Sequence, residues 1–398
     1  MKLMRFDVFL LKLLYILAAG IVVFQTLGRG SVTSLLFYAT FPVTVLLWLR
    51  TIRKTATGMD LIMLLTIVLA MISVLLDAWI NNAGLGFSYV KKVIIFAMTL
   101  LFLQTAYRLR IDREMVAFID RTVDLLTVFL ILMFFFRTGQ MYIIRNRISN
   151  YLTFRIGNPN LTGLYLTCLY MLELYRIFAP ERWYWKGIHI LMAGLLVIFI
   201  FLTQSRNCLV AAVLFTVSCA WLVFKGRRKL YIKNSTAWLI AAFPLLFVVG
   251  YMLIVYTPWF QKLFSFLVSE GKNLDSRMRV WEPALQYLAN SPLIGSYYHI
   301  SDGTGMSQMH NSHLDVAASY GIPVLVLVCL LLHNYLHQRG RHYTDKQGYI
   351  YILGFACAIL LGIGEAALFS GGLSIYIFVG AFLLLADREE QEQTMGKL

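Results

Sequence analysis

The sequence predicts an all-α fold: a polytopic helical membrane protein of about twelve transmembrane helices with one large extracytoplasmic loop. Three observations predict it. Hydrophobic residues make up 59% of the 398, charged residues only 14%, and mean hydropathy is +0.71. A soluble chain cannot hide that much apolar surface behind so few charges. About a dozen apolar runs of roughly 15–21 residues follow one another, the length that crosses a bilayer as helix. Lys and Arg gather between alternate runs, as they do in cytoplasmic loops. Disorder, collagen-like repeats, a disulfide scaffold and a soluble α/β enzyme are excluded.

The first span is drawn over 8–27. Lys2 and Arg5 ahead of it imitate a signal peptide, but the run continues past Ala18-Ala19-Gly20, so the segment reads as an uncleaved span. The next spans are 32–49, 60–76, 90–107, 116–136, 161–178, 188–202, 208–224 and 238–256. Those at 314–332, 350–368 and 373–386 complete the set. The seventh and the last are short. The chain, 1–398, reads as a single integral membrane domain, and 257–311 is the large extracytoplasmic loop between spans 9 and 10. No internal repeat of the kind that marks many transporters is visible. All five cysteines (Cys168, Cys208, Cys219, Cys329, Cys357) lie in or beside apolar runs, without CxxC spacing, and read as small core residues.

The excess of 35 Lys+Arg over 20 Asp+Glu is explained by topology rather than by nucleic acid. With both termini cytoplasmic, 21 basic residues fall inside, among them Arg50, Arg53, Lys54, Arg108, Arg110, Arg113, Lys225 to Lys229, Arg339 and Arg341. Twelve fall outside: Arg29, Lys91, Lys92, Arg137, Arg145, Arg147, Arg155, Arg206, Lys262, Lys272, Arg277 and Arg279. Residues 125–172 contain no carboxylate. Uncompensated outer cations oppose the usual bias, and an anionic ligand at the outer surface is the simplest reason for them. For Arg145 and Arg147, contact with anionic lipid headgroups explains them equally well.

Within the large loop a short helix is expected after Asp275-Ser276, with Trp281, Leu285 and Leu288 at i, i+4 and i+7. Arg277 shares that face and Arg279 does not; Pro283 would kink the helix or begin it. Three strings stand out, each at the outer mouth of a span. They are Thr203-Gln204-Ser205-Arg206; Arg277-Met278-Arg279-Val280-Trp281 leading to Ser291-Pro292-Leu293-Ile294-Gly295; and His310-Asn311-Ser312-His313-Leu314-Asp315 leading to Tyr320-Gly321-Ile322. In this order they resemble the O-antigen ligase/polymerase superfamily, in which Ser-Arg opens a helix. An Arg-x-x-x-Trp and a Pro-x-x-Gly follow in the outer loop, and His-Asn opens the next helix. Gly157-Asn158-Pro159-Asn160 also looks like this family. The resemblance is dense from Arg155 to Gly321; the first 150 residues match in hydropathy alone.

The resemblance implies a GT-C-like membrane glycosyltransferase and assigns His310 as the base. The residues make the same chemical sense. A sugar hydroxyl is a poor nucleophile, a positioned base accelerates its attack roughly 10²–10⁴-fold, and histidine titrates near neutral pH. A diphosphate leaving group needs cations, and arginine forks can replace a metal. Arg206 and Arg277 are the leading phosphate ligands, Arg279 and Arg155 secondary ones. Asn311, His313, Asp315 and Glu365 are expected to support them. Glu365, inside the eleventh span, either pairs with an active-site Arg or holds two helices together. His310-x-x-His313 with Asp315 could ligate zinc, but no partner string completes a site; no metal and no cofactor are expected. His333, His337 and His342 read as a solvated helix end, and Glu173 as a structural partner of Arg176.

The function expected from the resemblance is polymerisation of undecaprenyl-diphosphate-linked repeat units by a Wzy-type polymerase at the outer face of the cytoplasmic membrane, giving capsular, exo- or O-antigen polysaccharide. Partners would be the lipid-linked donor and acceptor, membrane lipid, a chain-length regulator and a flippase, with no nucleic acid. An O-antigen ligase is the alternative within the family, and a lipid-linked oligosaccharide flippase or transporter the alternative of another class. The long loop bearing His310 argues against the latter. The topology is checked by a single cysteine at Ser301, which an impermeant thiol reagent should label in intact cells or spheroplasts; absence of labelling rejects the assignment.

Overall fold

Lipid offers no hydrogen-bond partners, so each apolar run closes its backbone bonds within itself as helix. A computed structural model describes residues 4–54, 56–82, 87–136, 141–142, 151–156, 159–178, 182–224, 231–255, 257–259, 275–296, 309–341, 346–365, 368–369 and 374–386. Among these the order begins α1 (Arg5–Thr26), α2 (Gly30–Lys54), α3 (Gly58–Ile80), α4 (Phe87–Arg108) and α5 (Arg113–Phe136). A two-residue antiparallel ladder, β1 (Met141–Tyr142) with β2 (Tyr151–Leu152), precedes α6 (Pro159–Ile177), α7 (Trp183–Leu202), α8 (Arg206–Phe224) and α9 (Asn234–Val255). Then come α10 (Asp275–Asn290), α11 (Ser312–Tyr320), α12 (Ile322–Gly340), α13 (Lys346–Leu361) and α14 (Ile375–Ala386). The protein is an all-α polytopic membrane protein, and α1, α2, α3, α4, α7, α9 and α12 are each long and apolar enough to cross a bilayer.

The middle of the bundle is α6, α13 and α14. Every residue of α14 is buried, and α6 is buried from Thr162 to Tyr175. The outer helices turn apolar faces to lipid, and Trp79, Trp183, Trp185, Trp221 and Trp259 stand exposed near helix ends, the interfacial position that suits an amphipathic ring.

At the end of the bundle that carries Arg50 and Arg108, buried carboxylates pin helices together. Asp7 of α1 accepts from Arg50 Nε (2.6 Å) and Lys54 Nζ (2.7 Å) of α2. Asp60 of α3 accepts from Gln104 (2.9 Å) and Arg108 (2.6 Å) of α4, and Tyr335 of α12 donates to the other side of Gln104 at 2.9 Å. The expected Glu173–Arg176 attraction is present as part of a wider cluster. Glu173 also bonds His189 Nδ1 on α7 at 2.8 Å, and Arg176 bonds Asp124 on α5, so the cluster joins three helices.

Two spans read as continuous from hydropathy are broken. The tenth divides at Gly321 into α11 and α12, and the eleventh ends as helix at Leu361, leaving Glu365 in a turn rather than inside a helix. By their residue counts α13 (16) and α14 (12) are about 24 and 18 Å long, short of the roughly 30 Å hydrocarbon thickness. Irregular backbone at such depth persists where protein or a wet cavity satisfies it. Pro283, by contrast, neither begins nor stops α10, which runs through it.

The α11–α12 break is built for backbone contact. Gly321 has φ +89°, and a Cβ there would stand 2.2 Å from the Leu293 carbonyl oxygen; Gly295, at φ +70°, meets Ala318 O at 2.7 Å in the same way. Ser296 N donates to Ala318 O and Ile322 N to Pro292 O, both at 2.8 Å, so the Pro-x-x-Gly turn is sewn to the break. Gly321→Ala should therefore lower stability by at least about 2 kcal/mol in detergent thermal unfolding. Gly194→Ala, in α7 with open space around it, should be neutral or stabilising by a few tenths.

Candidate functional site

The first string forms the α7–α8 corner. Thr203 Oγ1 donates to Ile200 O (2.7 Å) and accepts from Ser205 N (3.2 Å), and Gln204 takes φ +55° to complete the turn. Arg206 is the first residue of α8 and is exposed, where the positive end of a helix and a guanidinium act together on an anion. Asn207, beside it, donates from Nδ2 to Leu361 O at 2.6 Å. The start of α8 is thereby fixed to the place where α13 stops.

The second string lies on α10. Trp281 is fully buried, edge-on to Tyr251 of α9 at 5.8 Å between ring centroids, and its indole Nε1 donates to Met309 O at 2.9 Å. The Trp of Arg-x-x-x-Trp thus holds the residue before His310. Arg277 stands one helical turn earlier in α10 and Arg279 half a turn; their side chains lie outside the described residues.

The third string meets both. His310 has φ +49°, a left-handed conformation that is strained for a side chain bearing a ring. Asn311 caps α11 by accepting from His313 N (3.1 Å) and Leu314 N (2.9 Å). Its amide Nδ2 donates to Pro244 O (2.8 Å) and Ile363 O (3.1 Å). Ser312 N donates to Gly362 O (2.8 Å), and Ser312 Oγ to Glu365 O (3.0 Å). His313 Nε2 donates to Ala241 O at 2.6 Å, just ahead of Pro244, which opens the α9 hydrogen-bond ladder. Pro244 lies about 15 Å from the Asn234 end of α9, near the middle of the helix. The start of α11 consequently sits within the bundle, not at the mouth of a span as its sequence position suggested.

His310 Nδ1 lies 3.3 Å from Glu365 Oε2; the carboxylate side chain is 4% exposed, the imidazole 27%. Glu365 pairs with the histidine. A buried carboxylate on Nδ1 selects the tautomer that carries its proton there and leaves the Nε2 lone pair free to accept one.

Asp315 answers a different cation. Lys92 of α4 donates to Asp315 Oδ1 (3.0 Å) and Ser319 Oγ (2.9 Å), so this lysine is neutralised within the protein and does not belong with the uncompensated outer cations. Arg155 is exposed, with its guanidinium against Gly28 at the α1–α2 corner. Arg137, Arg145, Arg147, Lys262, Lys272, Gly157, Asn158 and Ser301, and with them 260–274 and 297–308 of the large loop, lie outside the described residues. Asp124, Glu173 and His189 bring ligand atoms within 4.8 Å of one another, with the Arg176 guanidinium already on Asp124.

The structure therefore gathers His310, Asn311, Glu365 and the start of α8 around the α13 break, with α10 tied to them through Trp281. His313 and Asp315 hold α11 from other sides. Sequence reading did not single out Asn207 or Ser312, and it grouped Lys92 with the uncompensated outer cations. A polar residue opening a helix could have flagged the first two, whereas nothing local points from Lys92 to Asp315, 223 residues away.

Residues 191–329 match the family model described as O-antigen ligase, which spans all three strings and supports the O-antigen ligase/polymerase superfamily. No curated protein matches the chain. Lys92, Arg155 and Glu365 fall outside the matched segment.

The bonding of Asn311 makes a sharp forecast. Asn311→Asp keeps a good cap but points a carboxylate at the Pro244 and Ile363 carbonyls, so it should destabilise at least as much as Asn311→Ala, by about 2 kcal/mol or more. Detergent thermal unfolding of the two variants checks the order; an aspartate that behaves as wild type refutes it.

Proposed function

We propose that this O-antigen ligase/polymerase-like enzyme transfers a glycan from a lipid-diphosphate carrier to a sugar hydroxyl without a metal, as a polysaccharide polymerase. The reaction would run at the outer face of the cytoplasmic membrane, with both termini inside. The observation that carries the reading is the His310–Glu365 pair, set at the break to which α8 and Arg206 are fastened.

The acceptor hydroxyl oxygen attacks the anomeric carbon and its proton passes to His310 Nε2. The bond from the anomeric carbon to the phosphate oxygen breaks, and the diphosphate leaves with the electron pair. Glu365 holds the imidazole in the reactive tautomer and offsets the charge it gains. Arg206 and Arg277 take the charge of the departing diphosphate, which grows in the transition state. A second reading is ligase transfer of a finished glycan to another acceptor, the activity in the description of the matched family.

Purified protein in EDTA, given lipid-linked oligosaccharide alone, should lengthen glycans on the carrier; product only after a different acceptor is added supports the ligase. Arg206→Ala and Arg277→Ala should weaken donor binding as well as turnover, with Lys restoring part. His310→Ala should lower kcat by about 10²–10⁴-fold with donor binding nearly intact, and Glu365→Gln should lower kcat less. Full turnover by His310→Ala would sink the assignment.

A further inference from the structure

We propose that Lys92 is a positioning residue for this reaction: its ammonium holds α11, and through it His310, in the working geometry. The inference rests on reading His310 as the base. Lys92 belongs to α4, far from the segment that the family model matches, and is 8% exposed. Its Nζ meets Asp315 Oδ1 and Ser319 Oγ, one helical turn apart on the same face of α11. Asp315 is 1% exposed and Ser319 is fully buried, so the three polar groups satisfy one another away from water.

The helix they grip needs gripping. At nine residues α11 is too short to hold itself, since isolated helices of that length are unstable. It begins two residues after His310 and ends at a glycine break, so its backbone continues smoothly in neither direction. Ser73 Oγ of α3, donating to Tyr320 O at 2.9 Å, adds a second hold from the same side of the bundle. Losing Lys92 would leave a buried carboxylate without its charge partner, a state relieved by moving Asp315 toward water and α11 with it. His310 would move with α11, and a displacement of about 1 Å at a reacting group costs on the order of 10²-fold in rate. The phosphate-binding arginines start from α8 and α10, so donor affinity would survive.

The test compares wild type, Lys92→Met, Asp315→Asn and the double variant in the purified full chain. Kinetics use lipid-linked oligosaccharide, and hydrogen exchange is read across residues 309–320. Lys92→Met should lower kcat by about 10²-fold with donor Kd unchanged and accelerate exchange in α11. Adding Asp315→Asn removes the stranded charge and should return most of both. Wild-type turnover and exchange in Lys92→Met would overturn the proposal. So would loss of donor binding that Asp315→Asn does not restore, which would make Lys92 a phosphate ligand. If Lys92→Met does not fold, Asp315→Asn alone is compared with the double variant: a faster double supports the tether, and equal turnover overturns it. A wild-type protein that makes no glycan product would sink the proposed reaction alone, because exchange in α11 still reports the tether.

Discussion

The constraint on which the rest depends is the supply of hydrogen-bond donors to a helix that stops inside the bundle. When α13 ends at Leu361, the carbonyls of Gly362, Ile363 and Glu365 follow with no helix to bond into, and Leu361 O keeps only a long 3.4 Å contact from Gly364 N within the chain's own turn. A bare carbonyl in that environment costs several kcal/mol. The donors come from Asn207, Asn311 and Ser312, the opening residues of α8 and α11. Satisfying one helix end therefore assembles two helix beginnings beside it. Helix beginnings are where cations, positive backbone ends and non-helical side chains collect. A cluster of helix beginnings arises from the backbone accounting itself.

Around that hub the tethers divide by chemistry. Neutral amides and hydroxyls bond to carbonyls at the break. Among the described residues, ion pairs tie α1 to α2, α3 to α4 and α5 to α6, and join Lys92 to Asp315. Directional bonds between neutral groups hold a shape without placing net charge at the break. The carboxylate nearest the histidine, Glu365, is the exception, and it lies where an imidazole can use it.

Much of the fold was legible in the sequence because apolar run length is a direct measure of bilayer thickness. The breaks were not, since hydropathy records how apolar a residue is and not whether its carbonyl has a donor. Gly321 sits in a run that scores as one span, and only the Leu293 carbonyl against it shows why the helix must turn there. For the site, His310, Asn311 and Arg206 were legible as polar residues opening apolar helices in a familiar order. Glu365 was legible as an anomaly, but its partner lies 55 residues away and nothing local selects it. Lys92 and Asp315 are 223 residues apart, and the i, i+3 rule that suggested Glu173 with Arg176 gives no hint of the partners that His189 and Asp124 supply from neighbouring helices.

The hub has a further consequence for how much each position must specify. Asn207, Asn311, Ser312 and His313 bond to main-chain carbonyls of residues 361, 363, 365, 244 and 241. A carbonyl is present whatever side chain its residue bears. Information in the contact is thus one-sided: the donor positions are restricted to a few residue types, while most acceptors can drift freely as long as the chain turns there. Such a site leaves a sparse trace in sequence, a few short polar words separated by interchangeable hydrophobic text.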